Sequence, residues 1–99
     1  LNSNSLYNLG CLLIDLKKYN DAVFILEKSI TLDSTNSEAY LNLGIAKRNL
    51  GDLKDAINII KKAIEIKPNN ALGFLNLGMV YKQLKKYKLS TQITFSLMA

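Results

Sequence analysis

The 99-residue sequence has no histidine, no tryptophan, one cysteine and one proline. Without histidine, and with Cys11 alone, the usual His/Cys zinc site cannot be assembled. No nucleophile has an evident base beside it, and no glycine-rich phosphate loop is present, so no enzymatic activity and no cofactor are expected. A lone cysteine cannot form an internal disulfide, which points to a reducing, cytoplasmic setting. No apolar run approaches the roughly 20 residues that cross a bilayer, so no membrane partner is expected. The first residue is Leu1 and not Met, so the sequence reads as a piece of a longer protein. Acidic residues are missing after Glu65, where Lys67, Lys82, Lys85, Lys86 and Lys88 follow, and the net charge is +5. Such a basic end could attract nucleic acid. Arginines and stacking aromatics are not interleaved with these lysines, which favours a solvated lysine face instead.

What the sequence does contain is a period. Asn-Leu-Gly occurs at Asn8-Leu9-Gly10, Asn42-Leu43-Gly44 and Asn76-Leu77-Gly78, each copy 34 residues from the next. Four residues before each glycine stands a large apolar group: Leu6, Tyr40 and Phe74. Six residues after it come Leu16, Leu50 and Leu84, and twelve after it a small residue, Ala22, Ala56 or Ser90. Apolar residues at these offsets return every three or four positions, which makes a helical stripe and not a strand. Three repeats are therefore expected, at approximately 3–36, 37–70 and 71–99, the last incomplete, within a single domain over 1–99.

Each frame is expected to hold two helices. In the middle copy the first runs approximately from Ser37 to Leu50, with Asn36 or Ser37 as its cap. Gly51 can end it in a left-handed conformation, and Asp52 can cap the next helix. Leu53, Ala56, Ile57, Ile60, Ala63 and Ile64 then form one face of the second helix, which stops before Pro68. Two antiparallel helices approach closely only where side chains are short, so Gly44 and Ala56 mark their crossing. A single hairpin leaves an apolar face open, and neighbouring copies must stack to bury it.

This pattern resembles the tetratricopeptide repeat family over nearly the whole chain. Tyr40, Leu43, Gly44, Ala56, Ile60, Ala63 and Pro68 of the middle copy fall on the family's signature. The first copy keeps Leu9, Gly10, Tyr19 and Ala22, with Ser34 in place of the proline. The third keeps Phe74, Leu77, Gly78, Tyr81 and Tyr87, then departs at Ser90, Thr94 and Leu97. The resemblance implies an all-α solenoid of antiparallel hairpins, wound as a right-handed superhelix with the first helix of each repeat along its concave face.

Residues on that face that hairpin packing does not use are the candidate groove: Tyr7, Asn8 and Cys11; Leu41, Asn42, Ile45 and Arg48; Leu75, Asn76, Met79 and Lys82. Cys11 reads as a small apolar group of this face, since no cation or base is recognisable beside it. The family's two-carboxylate clamp for acidic chaperone tails would need lysines, asparagines and an arginine at Tyr7, Cys11, Asn42, Leu72 and Asn76. Only Asn42 fits, so the clamp is not expected. Asn8, Asn42 and Asn76 are expected either to form an amide ladder able to hold an extended backbone, or each to bond a neighbouring helix or water.

The function expected from this pattern is binding of a protein or peptide, as an extended segment or a partner helix, in the groove. An architectural or oligomerisation spacer is the alternative. Self-association is expected through the uncapped last segment, where Leu89, Ile93, Phe95, Leu97 and Met98 meet no acidic residue, or through the matching face of the first helix.

Overall fold

The computed structural model describes residues 1–98, and its secondary structure is entirely helical: α1 (Ser3–Asp15), α2 (Tyr19–Leu32), α3 (Ser37–Asn49), α4 (Leu53–Ile66) and α5 (Ala71–Met98). The helices stack in chain order into an elongated body of 54 × 28 × 19 Å. α1 pairs with α2 and α3 with α4 as hairpins, α3 packs back on α2, and α5 packs back on α4. No described helix is long and apolar enough to cross a membrane.

The helix starts repeat with the sequence period. Asn2, Asn36 and Asn70 each place Oδ1 3.2 Å or less from the amide three residues on, accepting from Ser5, Ala39 and Gly73. An asparagine in this position satisfies one of the free N–H groups that every helix start presents. The second helices start differently. Asp52 precedes α4 without capping it, and its carboxylate reaches Lys47 Nζ at 3.7 Å. Lys47 also meets Asp55 at 3.2 Å, so one lysine ties α3 to the start of α4. Burial works to lower the Lys47 pKa, but Asp55, Asp52 and Glu27 together outweigh it and the net shift is upward.

Two clusters make the core. Ala22, Leu26, Leu43 and Ala46 lie between the first and second repeats. Leu41, Leu53, Ala56, Ile57, Ile60, Ala63 and Val80 lie between the second and third. The glycines mark the crossings: a Cβ on Gly10 would collide with Leu26, and one on Gly44 with Ile60.

The third frame departs from the expected pair of helices. α5 runs unbroken for 28 residues. The first two repeats turn at Lys17 and Gly51, whose φ values are 60° and 83°. The matching residue of the third, Lys85, stays helical. Lys17 shows that a lysine can take this turn. What the third repeat lacks is the aspartate four residues on, Asp21 and Asp55 in the first two, which favours a new helix start and is Leu89 here.

Candidate groove along the first helices

Asn42 holds the centre of the candidate surface. Its Nδ2 lies 3.5 Å from the Tyr7 hydroxyl and 3.4 Å from Cys11 Sγ, so one amide joins α3 to α1. Burial, with Cys11 and Glu38 adding to it, pushes the Tyr7 phenol up to about 12; donation from Asn42 works the other way. A second contact of the same kind joins α3 to α5, where Arg48 Nη1 meets Met79 Sδ at 3.4 Å. Ile45 is half-buried between these points. Asn8, Leu75, Met79 and Lys82 are exposed. Residues from three successive repeats thus share one surface.

Two of the expected groove residues sit elsewhere. Leu41 is buried in the second core cluster, beside Val80 and Ile60. Its counterparts one repeat away are Tyr7, half-buried, and Leu75, 59% exposed. This position packs toward the following repeat, so its burial depends on whether a neighbour is there. Leu75 has none among the described residues. Asn76 is also covered, at 9% exposure, and donates from Nδ2 to the Leu72 carbonyl at 2.8 Å. A buried amide must find a partner, and this one finds its own helix. The asparagines are therefore not equivalent: Asn8 is open, Asn42 bridges two repeats, and Asn76 is turned inward.

Phe74 carries the reverse surprise. Its offset matches Leu6, which α2 buries, yet Phe74 is 55% exposed, and Tyr81 on the same helix is 44% exposed. Both add apolar surface to α5 that the repeat pattern assigned to packing. The available signal was Leu89, where the first two repeats have Asp21 and Asp55.

Charge around the surface is mixed. Glu38, in the first turn of α3, reaches Lys67 Nζ at 3.6 Å. Its carboxyl is held below the usual value chiefly by its own backbone N–H; burial opposes this, and the Ser37 hydroxyl and Lys67 assist.

Comparison with known proteins agrees with this architecture. Two sequence profiles described as tetratricopeptide repeat match residues 13–73 and 59–92. No curated protein matches the sequence. Among solved structures, MamA superposes with a TM-score of 0.81 at 25% identity, over 85% of this chain and 49% of that one. This chain thus spans about half the length of MamA. The Arabidopsis OM64 TPR domain gives 0.82 at 27% identity, over 87% of this chain and 71% of that one. The second TPR domain of human RPAP3, solved with the HSP70 peptide SGPTIEEVD, gives 0.79 at 24% identity, over 81% and 67%. That last likeness is one of fold alone.

Proposed function

The chain belongs to the tetratricopeptide repeat family, and from that premise we propose that it is a protein-interaction module whose groove holds an extended peptide. The observation that carries this reading is the continuity of the surface: Asn42 bridges to Tyr7 and Cys11, and Arg48 bridges to Met79. Exposed and half-buried apolar groups framed by polar ones favour a binding role over a merely solvated face. Asn8 and Asn42 supply amides for a peptide main chain. Ile45, Leu75 and Met79 offer aliphatic contacts, and Arg48 and Lys82 favour an acidic side chain nearby.

The second TPR domain of human RPAP3 was solved with an HSP70 peptide, but the residues of this groove do not suit a clamp for an acidic tail. Tyr7, Cys11 and Leu72 stand where a two-carboxylate clamp would need polar or basic groups, and Asn76 is buried. The peptide proposed for this groove is therefore held by main-chain and aliphatic contacts, with no need for a free C-terminus. Titration against a peptide library, with Met79→Ala and Lys82→Ala alongside, tests this. Binding confined to peptides with an acidic C-terminal carboxylate would refute it, and no peptide binding at all would return the groove to a structural role.

Self-association is a second reading, favoured by one observation. Leu89, Ile93, Phe95, Leu97 and Met98, all in the last part of α5, are each more than half exposed. Sedimentation over a range of concentrations measures it directly.

A further inference from the structure

The tetrapeptide Leu-Lys-Lys-Tyr occurs twice, at 16–19 and at 84–87. The first copy is a turn: Lys17 adopts φ 60°, Lys18 N donates to Leu13 O at 2.8 Å, and α2 begins at Tyr19. The second is uninterrupted helix. One tetrapeptide thus supports both conformations within this protein, and its C-terminal neighbours select between them. Asp21 stands in the first turn of α2, where a negative charge suits a helix start. The matching residue of the third repeat is Leu89, preceded by Lys88.

The surface beside the straight helix is shaped for a second one. A Cβ on Gly78 would meet nothing within 4 Å, whereas the same position is filled by Leu26 over Gly10 and by Ile60 over Gly44. Phe74, one turn away, is uncovered, while its counterpart Leu6 is buried. The residues that a 34-residue shift brings onto the inward face of α4 are Tyr87, Ser90, Thr91, Thr94, Leu97 and Met98. Ser90 repeats the small residue of the crossing. Thr91 and Thr94 already donate to the carbonyls of Tyr87 and Ser90, at 3.0 and 2.9 Å, so both hydroxyls can be buried without losing a partner.

We propose that residues 88–98 fold back over Gly78 as a sixth helix, with α5 breaking at Lys85–Lys86, so that the straight helix is the open form of a hairpin that closes within one chain. A second copy's straight α5 does not fill the notch in this register. Gly78 and Thr94 stand about 160° apart around one continuous helix. The side that carries Thr94 also carries Asn76 and Val80, which are already buried. Closure needs no ligand in the groove. It covers Phe74, Leu97 and Met98, and so competes with self-association through the open tail. Closure is held back because Leu89 stands where Asp21 favours the helix start after the same tetrapeptide, and Thr94 fills the notch less well than Ile60 does.

Spin labels at Leu72→Cys and Ser96→Cys, in full-length protein carrying Cys11→Ser, read the two forms by electron double resonance. The labelled positions are 24 residues apart, about 36 Å along a straight helix, and about 10–15 Å apart across a closed hairpin. The expected result is a distribution with both distances. Lys85→Gly, which loosens the straight helix and permits the turn, should raise the short fraction several-fold. Gly78→Val, which fills the notch, should abolish it. A single long distance in the parent and in Lys85→Gly overturns the proposal. So does a short distance that survives Gly78→Val, or one that disappears on dilution with unlabelled protein, which would place the contact between copies.

Discussion

Ile60 sits on Gly44 so closely that its Cγ1 occupies the space a Cβ would need. The contact is fully buried, and Cγ1 lies near the root of a β-branched side chain, where little adjustment is possible. Leucine has better intrinsic helix propensity than glycine, by somewhat under about 1 kcal/mol. The overlap should outweigh that gain, and Gly44→Leu is expected to destabilise by about 1–3 kcal/mol. Gly78→Ala should do the opposite in the straight form, where nothing stands near its Cβ, gaining up to about 1 kcal/mol, less whatever stability the closed form contributes. Denaturant melts of the two variants check this pair of opposite signs. A stabilising Gly44→Leu would show the crossing to be wrongly placed.

The period that revealed these crossings was legible because each repeat obeys the same packing rule. Gly10 and Gly44 and the small residues Ala22 and Ala56 stem from it, and the capping asparagines return with it because each first helix has the same free N–H groups to satisfy. The groove was less legible. Leu41 and Leu75 occupy equivalent positions, but one has a following repeat packed on it and the other does not. Burial there is a property of the stack and not of the local sequence. The straight course of α5 was hidden for a related reason: Leu-Lys-Lys-Tyr carries no single instruction, and only the residues beyond it tip the balance.

Leu43 is 5% exposed and joins Leu26, Ala22 and Ala46 between the first two repeats. Leu43→Ala should cost about 2–5 kcal/mol, the range for emptying a packed leucine site. Lys62→Ala removes only an exposed pair with Glu65 at 3.9 Å and should change stability little. Thermal melts of both variants read the difference. A loss below about 1 kcal/mol for Leu43→Ala would mean that the repeats are coupled more loosely than this cluster implies.

Tyr7 should titrate near 12, because burial disfavours its phenolate. A folded pKa above the unfolded value of about 10 makes a stabilising contribution that is complete below about pH 10. That contribution is lost as pH rises from about 10 through about 12. Ultraviolet titration should show a late step that Tyr7→Phe removes. Asn42→Ala should move it later still, since the Asn42 amide favours the phenolate.

Glu38 gives the acid-side counterpart. Its carboxyl is depressed chiefly by its own backbone N–H, so its stabilising contribution is present above the unfolded value of about 4.3. The contribution is lost as pH falls toward and through the folded value. Glu38→Gln should therefore narrow the stability gap between neutral and acid pH. Equal pH slopes for parent and variant below about pH 5 would remove Glu38 from the account of acid unfolding.

Asn42 is the residue at which fold and function can be separated. Its contacts to Tyr7 and Cys11, at 3.5 and 3.4 Å, are long, and one is to sulfur. Asn42→Ala should therefore cost less than about 1 kcal/mol in stability. If Asn42 holds a ligand's main chain, the same change should weaken peptide binding by about 1–3 kcal/mol, by a similar amount for ligands of different sequence. Asn8→Ala should behave likewise, because Asn8 is exposed and supports nothing in the core. Asn76→Ala should differ from both. Its amide is covered and bonded to Leu72, so its loss should appear in the melt and leave binding nearly unchanged. Three variants, each measured by melt and by peptide titration, thus separate groove amides from a structural one. A ladder of three equivalent asparagines would give three equal binding losses, whereas the geometry allows only two.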